Sequence, residues 1–316
     1  MLIRCTAASA CVIMSIAILI FEVERMKTLR RILFILVPIL LLASIGLNVY
    51  QYMTGNVTYL QNPDDIYIME AGILKRNEAF QAGEDHVFSY DFAHEDWQAL
   101  LTRYPIASIA GEGSEFARAA RLMDEYAPRL THESNFDGSV PFEALSLLDY
   151  SLDNPRQGIN CRCKAQILNE MCLALGIYAR KVWIMPYSRY DNDCHVVNEV
   201  WDSALGKWVM LDITNNQYWI DENGTPLSVL EIREKGAQRE FCTPVCPGED
   251  TSQPEKLLEK YKGDFLYIMK NMVYTQYCAE YTVGEARPIY SLVPENMPTN
   301  YEWLISLKAV EASPIP

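Results

Sequence analysis

Cys161, His195 and Asp212 are of the types that carry out nucleophilic acyl transfer, and their surroundings could bring them together. A nucleophilic thiol acts as its thiolate, and a helix N-terminus stabilises that charge through its macrodipole and unpaired N–H groups. Asn160 is a favoured N-cap. The apolar residues Ala165, Leu168, Cys172 and Leu175 then recur at helical spacing until Gly176, a natural stop. Cys161 falls in the first turn of that helix and on the same buried stripe, whereas Cys163 is expected to point roughly away from it. A neighbouring imidazole can take the thiol proton and later return a proton to a leaving amine. A carboxylate on its other ring nitrogen fixes tautomer and orientation. His195 and Asp212 fit those two roles.

The elements that must position them follow from the pattern. RKVWIMPY (180 to 187), HVVNEVWD (195 to 202) and KWVMLDIT (207 to 214) are rich in β-branched and aromatic residues and read as strands. Ser203, Ala204, Leu205 and Gly206 join the last two as a hairpin. With its centre between Ser203 and Ala204, opposed residues sum to 407, and His195 faces Asp212 across an antiparallel ladder. A bulge in the turn would shift that register. Ser114 to Leu130 reads as a helix with Phe116, Ala120, Met123 and Ala127 on one face, and Phe142 to Leu152 as another. Residues 225 to 236 and Lys256 to Val273 suit helices, and Thr275 to Leu292 contains strand-like runs.

The order helix-Cys, strand-His, strand-Asp resembles the transglutaminase-like superfamily. NCRCKAQILNEMCLALGIYAR (160 to 180) and DCHVVNEVWDSALGKWVMLDIT (193 to 214) carry that resemblance through C-x3-A with a later L-G-I-x-A-R, then H-x-x-x-E-V and K-W-x-x-x-D. The resemblance implies an α+β papain-like core, with the nucleophile helix packed on an antiparallel sheet, and Cys161, His195 and Asp212 as its catalytic residues. It also implies attack on an amide carbonyl, expulsion of an amine and a thioester intermediate, passed either to water or to a second amine. Two positions depart from the family pattern: the Gly two before the nucleophile is Ile159, with Gly158 one place back, and the Pro after the Asp is Ile213. The backbone N–H of Cys161 is a natural oxyanion donor, and Gln157 is a candidate second donor with Trp97 and Tyr150 behind it.

Other readings of the same residues exist. A Cys on an apolar helical stripe is commonly a packed core residue, and His195 and Asp212 taken singly could be ordinary strand residues. Cys161, Cys163, Cys194 and His195 could supply zinc ligands, but neither C-x-C nor C-H is a structural zinc spacing. The chemistry implied above requires no metal or organic cofactor. A fold of this kind without catalysis would serve as a cell-surface binding module, and an acyltransferase with a thioester donor would use the same three groups. Of the seven cysteines after residue 50, Cys172 reads as a buried thiol, and Cys242 and Cys246 could bridge locally.

Residues 32 to 50 are uncharged and long enough to cross a bilayer as a helix, with Lys27, Arg30 and Arg31 just before them. The positive-inside tendency then predicts a single-pass membrane anchor with everything after residue 50 outside. A second apolar run, Ala7 to Phe21, precedes Met26, which reads as the true start of translation, so residues 1–31 are either a cytoplasmic segment or a mis-annotated N-terminal one. Residues 51–66 read as a linker and 67–316 as one elaborated domain with its core at 142–235. Residues 1 to 50 hold five of the 27 basic and two of the 41 acidic residues, leaving 22 and 39 and a net charge of −17. Such a surface repels polyanions, which makes nucleic acid a poor partner; a protein or peptide substrate, cell-wall peptide among them, is what the resemblance implies. Half the chain is apolar, with six Trp and nineteen Tyr, which suits a sizeable folded core.

Overall fold

The computed structural model describes residues 27, 30–50, 63–188, 191, 193–284, 287–297 and 304–315. The chain divides into two units, residues 1–62 and 63–316. In the first, helix α1 (Arg30–Tyr50) has the length and apolar composition to cross a membrane, and its side chains are exposed along its whole length. The upstream run Ala7 to Phe21, Met26 and the stretch 51–62 lie outside the described residues.

The second unit begins with α2 (Pro63–Arg76), so residues 63–66, expected in the linker, form its first turn, where Asp64 and Asp65 suit the positive end of the dipole. After the short strand β1 (Ser89–Tyr90) come α3 (Asp96–Arg103), α4 (Ile106–Ala110), α5 (Glu115–Tyr126), α6 (Ala144–Asp153) and α7 (Cys161–Ala174). Strands β2 (Ala179–Met185), β3 (His195–Asp202), β4 (Lys207–Leu211) and β5 (Tyr218–Ile220) follow. Then come α8 (Val229–Gln238), β6 (Thr243–Val245), α9 (Pro254–Asn271), β7 (Tyr274–Tyr277), β8 (Glu280–Tyr281), β9 (Tyr290–Leu292) and β10 (Ile305–Ser306).

Six strands form one sheet in the order β10-β9-β7-β2-β3-β4. Its pairs are antiparallel except β9–β10, so the sheet is mixed rather than wholly antiparallel. Helices cover both faces. One core gathers α3, α5, α6 and α7 over Val196 and Val200; the other gathers α2, α8 and α9 over Val182, Val197 and Met210. Strands covered on both faces lose polar alternation, and every residue of β3 is buried.

Several sequence expectations shift here. The buried side of α5 is Ala119, Leu122, Met123 and Tyr126, with Phe116 and Ala120 only half-buried. Helix α7 is buried nearly all round, because α3, α5, α6, β2 and β3 surround it. Cys163 therefore lies in the core rather than on an exposed flank. Two of the family-like motif residues prove structural. The Arg that closes LGIYAR and the Glu of HVVNEV stand opposite one another on β2 and β3 as the fully buried pair Arg180–Glu199 (2.6 Å).

The β3–β4 hairpin closes at Asp202↔Lys207, so opposed residues sum to 409, not 407. Asp202 sets this turn: its Oδ1 accepts from the backbone N–H groups of Ala204 and Leu205 (3.0 Å each), and Gly206 adopts φ +66°. A four-residue loop results. His195 pairs with Ile184 on β2 instead, while Asp212 has left the ladder. The slip is two residues, which preserves the alternation of faces, so both side chains still emerge on one side.

Candidate active site

The Oδ1 of Asn160 accepts from the N–H of Cys163 (3.0 Å), which caps α7 and makes Cys161 its first helical residue. The thiol is half-buried and opens on a cleft of about 750 Å³. His195 and the backbone N–H of Val196 hydrogen-bond to it. Burial by itself pushes this thiol up. The hydrogen bond and charge of His195, helped by the Val196 N–H, outweigh that and hold it below the ordinary thiol value.

His195 is the first residue of β3 and is 3% exposed. Its Nε2 lies 2.9 Å from Asp212 Oδ2, which leaves Nδ1 for the thiol. Burial works against the charged imidazole, yet the Asp212 carboxylate and the Cys161 thiolate hold its pKa up to about 10. Both directions favour a thiolate–imidazolium pair resting on a buried carboxylate.

Asp212 is held by the turn that follows β4. It exchanges backbone hydrogen bonds with Gln217 (2.8 and 3.1 Å). Its Oδ1 accepts from the N–H of Thr214 (3.0 Å) and Asn215 (3.3 Å), and its Oδ2 accepts from Asn215 Nδ2 (2.8 Å). Burial would raise this carboxyl, but the imidazolium and these donors keep it below its usual value. Ile213, which replaces the family's Pro, is wholly buried in the core over α7.

Gly158 lies behind the nucleophile. A Cβ there would stand 2.6 Å from Glu133 Cβ and 2.7 Å from Glu133 N and His132 C. The bare glycine lets residues 131–133 run alongside 157–159, joined by Ile159 N–H to Thr131 O (3.0 Å) and Glu133 N–H to Ile159 O (3.1 Å). His132 thereby reaches the cleft wall. Its pKa is lowered by burial, then by the positive charges of Lys164 and His195.

The structure does not bring the remaining expected residues to the thiol. Gln157 is exposed, and its Oε1 accepts from Tyr150 Oη (2.8 Å) rather than facing the cleft. Trp97 is buried with its Nε1 donating to Asp91 O (3.0 Å), beside a separate small cavity lined by Glu143 and Glu170. Of the proposed zinc set, Cys163 is core-packed, and among the described residues no group of three His, Cys, Asp or Glu side chains is placed to hold a metal. Cys242 and Cys246 are free thiols. The residues between them form β6, and an extended chain of that length sets their Cα atoms roughly 13 Å apart, beyond the ~7 Å that a disulfide tolerates. Cys172 is buried, as expected.

Sequence reasoning missed Asn215, Val196, His132 and Tyr267. Asn215 had a local signal, the first carboxamide in the turn after Asp212. The Val196 contact is through backbone and leaves no compositional trace, and Tyr267 stands 72 residues beyond His195.

No curated protein and no solved structure matches the chain. The family model described as transglutaminase-like superfamily matches residues 105–213, the stretch that runs from α4 through the strand leading to Asp212. Over those residues the chain is similar to the transglutaminase-like superfamily.

Proposed function

We propose that this protein is a cysteine enzyme that acts on amide bonds through a thioester at Cys161, with His195 as general base and acid and Asp212 holding the imidazole. The observation that supports it best is the continuous Cys161–His195–Asp212 hydrogen-bonded chain at a helix N-terminus, opening on a large cleft. The thiolate attacks a carbonyl carbon and the C–N bond breaks. The imidazolium gives its proton to the departing amine. Neutral His195 then takes a proton from water, giving hydrolysis, or from a second amine, giving transfer, as the new nucleophile releases the thioester. The backbone N–H of Cys161 lies in the first helical turn, where it serves the developing oxyanion.

The apolar helix α1, with Lys27, Arg30 and Arg31 at its N-terminal end, favours an enzyme anchored by one span with its catalytic domain outside, and amide chemistry suits a protein or peptide substrate, cell-wall peptide included. The test is mass spectrometry of the full chain with mixed glutamine-containing peptides and a primary amine, wild type against Cys161→Ala. The small net mass gain from water replacing ammonia signals deamidation, cleavage signals a protease, and amine addition signals transfer. A wild type that alters no peptide and shows no acyl-enzyme would favour a binding module instead.

A further inference from the structure

We propose that Tyr267, on α9 and outside the segment that the family model covers, is a positioning residue of this site: its ring covers the imidazole of His195 and keeps it on the thiol. This rests on reading Cys161, His195 and Asp212 as the reacting groups.

By strand alternation His195 shares the face of β3 that α8 and α9 cover, the same face as Val197. Tyr267 reaches it from α9, with ring centroids 5.7 Å apart and planes at 64°, an edge-to-face contact. Tyr267 also lines the cleft beside Cys161. Its hydroxyl donates to Asp193 Oδ1 (3.4 Å). One turn on, Lys270 Nζ lies 2.9 Å from Asp193 Oδ2 and 2.9 Å from Asp191 Oδ2, so a single face of α9 grips the chain that delivers His195. Asp193 N–H in turn donates to Asp191 Oδ1 (3.0 Å).

The ring carries more of this than the ion pairs do. Lys270 is 34% exposed and Asp193 49%, so solvent screens their attraction and each pair contributes little. The half-buried ring instead stands edge-to-face against the imidazole from the α9 side. Burial first, then the negative charges of Asp193, Cys161 and Asp212, push the phenol up, so Tyr267 remains a neutral donor throughout the working range. The titratable groups facing His195 are Cys161 from α7, Asp212 from the turn after β4, Tyr267 from α9 and, more remotely, His132. Removing the ring lets the imidazole swing away. The thiol then loses the charge that depresses its pKa.

The experiment measures alkylation of Cys161 by iodoacetamide against pH in the full chain, followed by mass, with Cys161→Ala reporting the other thiols. Tyr267→Ala is expected to react about tenfold more slowly at pH 6.5, its acid limb raised by about one pH unit. Tyr267→Phe is expected to stay within about twofold of wild type, because it keeps the ring, and Lys270→Met within about threefold. Tyr267→Leu keeps bulk without an aromatic edge and serves where the Ala variant does not fold; it is expected to fall between Phe and Ala. A folded Ala or Leu variant with the wild-type profile overturns the proposal, as does a Phe variant as slow as Ala. A wild-type Cys161 that reacts no faster than the other thiols refutes the catalytic reading itself, a result distinct from unchanged variants of a reactive wild type.

Discussion

Replacing Gly158 by Ala tests how the nucleophile helix is seated. The new Cβ would sit 2.6–2.7 Å from Glu133 Cβ, Glu133 N and His132 C, two of them backbone atoms that cannot rotate aside. Carbon contacts are comfortable at about 3.5–4.0 Å, so the two chains must part by roughly 1 Å. That displacement stretches the bonds from Ile159 N–H to Thr131 O (3.0 Å) and from Glu133 N–H to Ile159 O (3.1 Å) to about 4 Å, beyond any useful hydrogen bond. Overpacking of this kind costs about 1–3 kcal/mol and each lost bond about 1 kcal/mol, against a gain of about 0.4–1 kcal/mol from the stiffer unfolded chain. The net is a loss of about 2–4 kcal/mol. For a unit that spans residues 63–316 this lowers Tm by about 5–15 °C. Thermal unfolding by circular dichroism measures it, with Gly263→Ala as the matched control. Gly263 lies within α9 with no atom inside 4 Å of its would-be Cβ, so that variant should gain about 0.5–1 kcal/mol. A Gly158→Ala protein melting within 2 °C of wild type would show that the packing argument is wrong.

Three further outcomes follow from the site and its supports. Asp212→Asn deprives the buried imidazolium of its counter-charge, so His195 loses its proton at lower pH and the thiolate fraction falls; iodoacetamide labelling of Cys161 near pH 7 should slow at least about tenfold, and labelling at the wild-type rate would refute the ion-pair account. Glu199→Ala leaves the buried Arg180 with the half-exposed Glu311 at 4.0 Å as its nearest remaining carboxylate beside its bond to Val310 O, and should cost about 3–5 kcal/mol in urea unfolding; a loss under 1 kcal/mol would contradict it. Glu170, whose carboxyl accepts from the N–H groups of Ala144 and Gly284 and from Gln166, has its pKa raised to about 7, chiefly by burial. An acid raised in the folded state contributes stability that is complete below its unfolded value near 4.5 and is lost as pH rises through about 7. Between pH 5 and 8 wild type should therefore lose up to about 3 kcal/mol relative to Glu170→Gln, and parallel stability curves would rule this out.

The family-like motifs were legible because they are local. Asn160 and the apolar spacing after it specify a capped helix whatever surrounds them, and that is enough to place Cys161 in the first turn. Runs rich in β-branched and aromatic residues specified the hairpin, and parity brought His195 and Asp212 to one side even though the assumed turn was two residues out of register. The turn itself depended on Asp202 capping two backbone N–H groups, a choice among several loop lengths that the composition of 203–206 permits. The second oxyanion donor was misplaced for a related reason. Gln157 is near Cys161 in sequence, but the turn it occupies aims it at Tyr150.

By itself, then, the sequence determined the capped helix with Cys161 in its first turn, the residue types at positions 161, 195 and 212, the apolar span and the net negative charge, all of which arise from neighbours along the chain or from composition. Only the tertiary structure decided that α7 is enclosed nearly all round, that Cys242 and Cys246 stay apart, that Gly158 is a point of close approach, and that Tyr267, remote in sequence, meets the imidazole edge-to-face. Those facts depend on which faces meet when two cores close on one sheet. Packing energy is summed over contacts between residues remote in sequence, and no local pattern encodes it.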